Sequence, residues 1–312
     1  MSGFFYGYSP SLDITSYNFR DIFMSTKYLS VFLFGLMLSF NHASAEEFKP
    51  LKGQTAVRVC ADAFNLPYSN KELQGFDNKI AAIIGEELGI PVEYYWFPQR
   101  IGFTRNTIKK VDPTTGRFLC DLAMSMPASP GRLAKTIPYF SSIDAMVYRA
   151  GEGYELNEIS DIAKVNEGKK LKIGLFDRAL ATEKLINLGL DEQIKYYQFM
   201  AGDARVYPGR IVEDGLASGE IDVAFAWGPV ASYFADHSDV PMKVVPLNEF
   251  GDRFVFSFAL GVRHKDKTWK NLLNKILEKR KDDIASIMAS YNFPSLDNVA
   301  KSEKKKVEVG DD

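Results

Sequence analysis

The sequence predicts an α/β protein of two lobes, each a mixed, mainly parallel sheet flanked by helices. Short β-branched or aromatic runs alternate with helical patterns, and the alternation restarts after Gly151 and Gly153. Of the 312 residues, 46% are hydrophobic, which is enough for a buried core. A formal net charge of -2 with 3 His and 2 Cys argues against a nucleic-acid-binding surface and a zinc cluster.

Residues 1–45 are predicted to be a signal peptide. Lys27 precedes the apolar run 28–40, which is shorter than the roughly 20 residues that span a bilayer. Ala43-Ser44-Ala45 has the small residues of a cleavage site. A true translation start at Met24 would leave a short basic segment before the same run. Cleavage near Ala45 predicts a periplasmic protein with no membrane anchor.

The first lobe is predicted to begin with a strand that ends at Cys60. A helix follows, which Asp77 or Asn78 starts and Gly89 with Pro91 ends. Further strands of this lobe are expected at residues 92–97, 120–124 and 145–148. With the chain's return through residues 253–300, lobe one is expected to comprise 52–148 and 253–300.

The second lobe is predicted to comprise residues 149–252. Its expected strands are 171–176, 196–199 and 223–227, and its expected helices are 179–188 and 211–217. After a strand at 254–262, apolar residues at helical spacing from Trp269 to Met288 predict one long packing helix. Residues 301–312 are polar and charged, so they are expected to form a disordered tail.

The two cysteines are predicted to form a disulfide. An exported protein meets an oxidising compartment, in which an even pair of cysteines normally closes. Cys60 and Cys120 each lie in an apolar, strand-like run, so neighbouring strands of one sheet could bring them together. Two buried free thiols are the alternative.

The sequence carries no signature of a catalytic centre. It lacks the G-x-S-x-G, H-E-x-x-H and G-x-x-x-x-G-K-[ST] motifs. His237 and His264 are too few and too far apart to suggest a metal site. We therefore assign no catalytic residue, no metal and no cofactor, and expect the protein not to be an enzyme.

Several short motifs in order along the chain resemble the type II periplasmic solute-binding proteins of family 3. They extend over about residues 55–293 and are Cys60-Ala61-Asp62, Leu66-Pro67-Tyr68, Gly75-Phe76-Asp77, Ser129-Pro130-Gly131-Arg132 and Gly219-Glu220-Ile221-Asp222. A narrower resemblance, to the quinoprotein-dehydrogenase-associated MoxJ/XoxJ branch, rests on Pro98-Gln99-Arg100, Trp227-Gly228-Pro229 and Tyr291-Asn292-Phe293-Pro294. The resemblance implies two lobes with a cleft and a hinge between them, and a role without catalysis.

The resemblance also implies candidate ligand-binding residues. Arg132 occupies the position at which amino-acid-binding relatives grip a ligand carboxylate, which suits a planar guanidinium. Trp227 occupies the position of the acid that holds the ligand ammonium, and an indole cannot neutralise that charge. A carboxylate-bearing or aromatic ligand is therefore expected, stacked between Trp227 and Tyr68 or Phe64. Asp62 and Gln99 are further candidates at the cleft.

Three functions follow as hypotheses. The first is a non-catalytic accessory or maturation factor of a quinoprotein, pyrroloquinoline quinone-dependent alcohol dehydrogenase, with a small ligand, the dehydrogenase or its cytochrome as partner. The alternative is an ABC-transporter receptor that delivers a small carboxylate or amino acid to a permease. The second alternative is a dehydratase-type enzyme, which would need Asp62 or Asp77 as a general acid in the cleft.

Overall fold

The structure, a computed structural model, describes residues 48–199, 203, 205–251, 254–292 and 294. The predicted signal peptide, residues 1–45, and the predicted tail, residues 301–312, lie outside the described residues. Within the described part of the chain, no helix combines the length and the apolar character needed to cross a bilayer.

Strands and helices alternate along the described chain. The strands are β1 (Val57–Ala61), β2 (Phe64–Asn65), β3 (Ser69–Asn70), β4 (Val92–Trp96), β5 (Leu122–Pro127), β6 (Ala134–Ser142), β7 (Asp144–Arg149), β8 (Ile173–Phe176), β9 (Ile194–Tyr197), β10 (Val223–Trp227), β11 (Met242–Pro246) and β12 (Phe256–Val262). The α-helices are α1 (Phe76–Leu88), α2 (Phe103–Asn106), α3 (Ile159–Asn166), α4 (Thr182–Asn187), α5 (Gly228–Asp236), α6 (Lys267–Lys279) and α7 (Lys281–Ala289). Ile211–Leu216 forms a π-helical turn.

Ten of these strands build two five-stranded sheets, one in each lobe, and β2 pairs with β3 in a short antiparallel ribbon. The first sheet has the order β4-β1-β5-β12-β6, and the second has the order β11-β7-β10-β8-β9. In the first, β1 is parallel to β4 and β5, while β12 runs antiparallel to β5 and β6. In the second, β8 is parallel to β9 and β10, while β7 runs antiparallel to β10 and β11. The predicted two-lobed α/β fold with mixed sheets is confirmed.

The first crossing between the sheets lies earlier than the sequence predicted. We expected lobe one to continue to residue 148, but β7 pairs with β10 and β11 in the second sheet. The chain therefore crosses at Ile143, the single residue between β6 and β7. Ile143 is buried, and its carbonyl accepts a hydrogen bond from the Gly228 backbone N–H at 2.9 Å. The boundary was misplaced because only Ile143 separates β6 from β7, and no glycine or proline marks the end of β6.

Helices α1, α6 and α7 cover the first sheet with an apolar face. Phe76, Ile80, Leu273 and Ile276 are fully buried in the same cluster as strand residues of that sheet. The predicted single helix over Trp269–Met288 is two helices, which meet at Arg280. The Arg280 guanidinium lies 2.9 Å from Glu87 and 3.2 Å from Glu86 on α1, so the break occurs where this charged side chain joins the two layers.

The predicted disulfide between Cys60 and Cys120 is confirmed. Cys60 is on β1, and Cys120 lies two residues before the neighbouring parallel strand β5. Both sulfur atoms belong to a small buried cluster with Phe103, Ile108 and Leu133. The bond therefore lies beneath the first sheet, within its packing.

Candidate functional site

A cavity of about 590 Å³ lies where the carboxyl ends of parallel strands from both sheets face each other. Open α/β sheets bind ligands at this edge. The first lobe contributes the segments after β1 and β4 and the end of β5. The second contributes the segments after β8 and β9 and the end of β10. Most of the lining side chains are apolar or aromatic.

Asp62 joins two of the loops that border the cavity. It follows β1 directly, is 7% exposed, and accepts hydrogen bonds from the backbone N–H of Phe64 at 3.0 Å and of Gln99 at 2.7 Å. Asn65 donates to the Gln99 side-chain oxygen at 3.3 Å. Both carboxylate oxygens of Asp62 are therefore engaged in holding Phe64 and Gln99 at the cavity wall.

A hydrogen bond across the cleft connects Tyr68 and Trp227. The Trp227 indole N–H donates to the Tyr68 hydroxyl oxygen at 2.6 Å, and the Trp227 ring packs against Phe258 of β12 at 5.5 Å between ring centroids. Burial raises the pKa of Tyr68, and the nearby charges of Asp77 and Asp144 raise it further. The hydroxyl therefore stays neutral and joins the two lobes as a dipole.

Close backbone approaches hold both of these aromatic residues in place. A Cβ at Gly75 would lie 2.0 Å from the Tyr68 carbonyl oxygen, and one at Gly228 would lie 2.4 Å from the Ile143 carbonyl oxygen. Real side chains do not tolerate such distances, so only glycine fits. Helix α1 thus starts against the Tyr68 segment, and Trp227 precedes a helix that starts against the crossing.

A buried polar network lies next to the cavity and ends on a lining residue, Ser125. Asp77 accepts hydrogen bonds from the Ser125 hydroxyl at 2.7 Å and the Tyr139 hydroxyl at 2.9 Å. The Ser125 backbone N–H donates to the Tyr139 hydroxyl oxygen at 2.9 Å, and the backbone of Ser125 has a left-handed φ of 44°. Burial raises the pKa of Asp77 to about 7, although the two hydroxyls act in the opposite direction. Asp77 itself does not line the cavity.

Arg132 does not reach the cavity, so the structure does not bring it together with the other residues that were predicted to bind a ligand. Its side chain is exposed and is not part of the cavity lining. The next residue, Leu133, is 2% exposed and packs in the cluster around the disulfide. Arg132 and Leu133 lie in a bend before β6, in which Leu133 faces the buried cluster and Arg132 faces solvent.

Known proteins similar to this chain are periplasmic binding proteins. Protein MoxJ of Methylorubrum extorquens is 26% identical over 267 residues, which are 81% of this chain and 85% of the relative. The crystal structure of periplasmic binding protein XoxJ from Methylobacterium extorquens AM1 matches with 34% identity and a TM-score of 0.61, over 77% of this chain and 99% of that one. The chain belongs to the MoxJ/XoxJ branch of the type II periplasmic binding proteins.

A second member with a solved structure has the same fold. MxaJ from Methlophaga aminisulfidivorans MPT matches with a TM-score of 0.60 and 22% identity, over 77% of this chain and 100% of that one. No family model matches the sequence. Membership of the MoxJ/XoxJ branch makes the chain a periplasmic protein, whereas cleavage near Ala45 stays a prediction.

The other predicted site residues of this MoxJ/XoxJ-type cleft do meet at one cavity. Asp62, Phe64, Tyr68, Gln99 and Trp227 all line it, and their contact with a ligand stays a prediction. Among the described residues, no group of three or more His, Cys, Asp or Glu could hold a metal ion.

Sequence reasoning missed several other lining residues. Asp144, Ser125 and Arg178 also border the cavity. Asp144 begins the buried strand β7, and an acid at the start of an apolar run was the signal available in the sequence. Arg178 follows β8 and has a left-handed φ of 63°. Nothing in the neighbouring sequence predicts that it lies at the cleft.

The outward position of Arg132 gives a direct prediction. Replacing it with Ala should change the free energy of unfolding by less than about 0.5 kcal/mol, as for other exposed side chains. Affinity for any molecule bound in the cavity should also stay unchanged. Urea unfolding and a binding titration on the same preparation check both statements. A large loss of affinity would mean that Arg132 contacts the bound molecule.

The hydrogen bond between Trp227 and Tyr68 gives a second prediction. In a double-mutant cycle, Tyr68→Phe and Trp227→Phe should show a coupling energy of about 1 kcal/mol, the usual net value of such a bond. The readout is the free energy of unfolding of the wild type, both single variants and the double variant. Strictly additive effects would mean that the bond does not connect the lobes in solution.

Proposed function

We propose that this protein is a non-catalytic accessory or maturation factor of a quinoprotein, pyrroloquinoline quinone-dependent alcohol dehydrogenase system. The observation that carries the proposal is the 34% identity to periplasmic binding protein XoxJ across 99% of that chain. The resemblance of the sequence to the quinoprotein-dehydrogenase-associated branch supports the partner, which is the dehydrogenase or its cytochrome. The cleft would bind a small ligand or a segment of that partner as the lobes close.

The mouth of the cleft supports contact with a protein. Phe64 and Phe199 line the cavity, yet each is 49% exposed. Ile101, next to the lining residue Arg100, is 88% exposed. Apolar side chains gathered at the mouth of a cavity favour an interaction surface over a simple solvated rim.

Import of an amino acid or small carboxylate is the first alternative. Receptors of this fold that bind amino acids need a cation for the ligand carboxylate and an acid for its ammonium, according to the family pattern. Here Arg132 lies outside the cavity and Trp227 occupies the place of the acid. The position of Arg132 outside the cavity and the Trp in place of an acid favour the accessory role over that of an amino-acid receptor.

A dehydratase-type enzyme is the second alternative. Its expected general acids are unsuitable, because Asp77 does not line the cavity and both oxygens of Asp62 accept backbone N–H groups. Asp144 does line the cavity, and burial raises its pKa to about 6, within the range of a general acid. Turnover of a prephenate-like acid, lost in Asp144→Asn, would favour this alternative.

Thermal unfolding of residues 46–312 tests the proposal. The purified dehydrogenase or its cytochrome should raise the unfolding midpoint in a saturable manner, since a partner that binds the folded state stabilises it. Carboxylates, amino acids and quinones are measured in parallel. A shift with an amino acid or carboxylate and none with either protein would contradict the accessory role and favour import.

Two matched variants refine this test. Ile101→Ser removes an apolar side chain next to the lining residue Arg100, and Ile186→Ser removes one on α4 that is 49% exposed; neither side chain is part of the cavity lining. We expect Ile101→Ser to weaken the complex with the dehydrogenase or cytochrome and Ile186→Ser to leave it unchanged. Equal effects of the two variants would place the contact elsewhere.

A further inference from the structure

Asp144 stands out among the residues that line the cavity because its carboxylate has no partner there. It begins β7 directly after the crossing between the sheets, and it is half-buried. In the described part of the chain, the structure gives this carboxylate neither a hydrogen bond nor an ion pair. Burial alone raises its pKa, with no donor acting in the opposite direction. A carboxylate in such surroundings lacks the compensation that buried charges normally have.

The position of Asp144 places it beside the aromatic residues of the cleft. Asp144 is directly opposite Trp227 in the antiparallel pairing of β7 and β10, and opposite residues share one face of a sheet. Tyr68, bonded to Trp227, is close enough for the Asp144 charge to raise its pKa. An acid and aromatic ring faces together attract cations, by charge pairing and by cation–π contact.

The other charged side chains of the cavity do not neutralise this acid. Arg100 donates to the Val206 backbone carbonyl at 3.0 Å, a contact on the exposed side of the cleft. Arg178 and Asp177 are adjacent, exposed and of opposite charge. Asp62 is engaged by backbone N–H groups. Asp144 is thus the acid left for a ligand beside the aromatic wall.

We propose that the small-molecule ligand of this cleft carries a cationic nitrogen, an ammonium or amidinium group, which pairs with Asp144 while its apolar body packs against Trp227 and Tyr68. This inference rests on the proposed function, because it assumes that the cleft binds a small molecule. It reverses the carboxylate expected from the sequence. An amine without a carboxylate and an α-amino acid share this chemistry, and Arg178 is the cation that distinguishes them.

Four probes of one shape test the inference by calorimetric titration of the protein purified from the periplasm. They are 2-phenylethylamine, the neutral 2-phenylethanol, the anionic 3-phenylpropionate and phenylalanine. The amine should bind about tenfold or more tightly than the alcohol and the anion, since a partly buried charge pair exceeds the free energy of a tenfold change. Equal or tighter binding of the neutral or anionic probe, or no binding of either probe that carries an ammonium group, overturns the inference.

Variants of matched size identify the residue. Asp144→Asn should weaken binding of the amine by about tenfold or more and leave the alcohol unchanged. Asp177→Asn, at the exposed edge of the cavity, should leave both unchanged. An amine affinity that is the same in Asp144→Asn as in the wild type overturns the inference. The preference of the wild type among the probes tests it even where a variant does not fold.

Two further comparisons separate the remaining outcomes. If Arg178→Gln weakens the binding of phenylalanine but not that of the amine, the ligand class is an amino acid. Weaker binding of phenylalanine than of the amine identifies an amine without a carboxylate, and both results support the Asp144 pairing. The dehydrogenase titration on the same preparation separates the two proposals. A complex with the dehydrogenase and no affinity for either probe that carries an ammonium group contradicts the cation inference alone.

Discussion

Reduction of the disulfide between Cys60 and Cys120 should lower the free energy of unfolding by about 4 kcal/mol, the value expected for a closed loop of this length. The two cysteines are 60 residues apart in the chain. Breaking the bond frees that loop in the unfolded state, whereas the folded state keeps both sulfur atoms in the same buried cluster. The effect on stability should therefore come from the unfolded chain.

Urea unfolding with and without a reductant measures this loss, and a thiol count establishes that the bond is open. The Cys60→Ala/Cys120→Ala double variant is the control, because reductant should not change its stability. A reductant effect on the wild type that is no larger than on the double variant would mean that loop closure contributes nothing.

The disulfide also illustrates what local sequence pattern can predict. Two cysteines in apolar, strand-like runs of an exported chain were enough, because β1 and β5 are parallel neighbours in the sheet. Helix α1 was predicted for a similar local reason, since Gly89 ends it in the left-handed conformation that glycine favours. The end of α1 depends on residues a few positions apart in the chain, and the disulfide depends on a single pairing of strands.

The crossing between the lobes could not be predicted in this way. Ile143 separates two strands that belong to different sheets, and no glycine or proline marks the change. The pairing of β7 with β10 depends on residues about 80 positions away in the chain, which no local pattern reports. The first lobe was therefore extended one strand too far.

The residues of the candidate site also differ in whether local sequence could predict them. Tyr68 lies in the segment after β1 and Trp227 is the last residue of β10, so their place at the edge of a sheet could be predicted from the sequence. Arg132 was assigned from a motif, but its side chain is exposed and lies outside the cavity. Asp144 was missed because its importance comes from its cross-strand partner Trp227. The sequence alone does not predict a residue whose role depends on which residue it faces on a neighbouring strand.

Raising the pH should destabilise this protein through Asp77. The pKa of Asp77 is raised from 3.8 to about 7 by burial. Between these two values the folded state holds a proton that the unfolded chain has released, so stability falls as the pH rises. The contribution is fully present below pH 4 and is lost as the pH passes through 7. It amounts to about 4 kcal/mol, because one pKa unit corresponds to about 1.4 kcal/mol.

Asp77→Asn provides the matched comparison, because an amide oxygen can still accept from Ser125 and Tyr139 but cannot ionise. The difference in unfolding free energy between variant and wild type should be small near pH 4 and should grow in favour of the variant up to about pH 8. Comparing the two proteins removes the contribution of Asp144, whose pKa is also raised, to about 6. A difference that stays constant over this range would mean that the Asp77 carboxyl titrates normally in the folded protein. In that case the polar network around Ser125 would have to contain water that solvates the charge, and the left-handed conformation of Ser125 would not depend on a protonated acid.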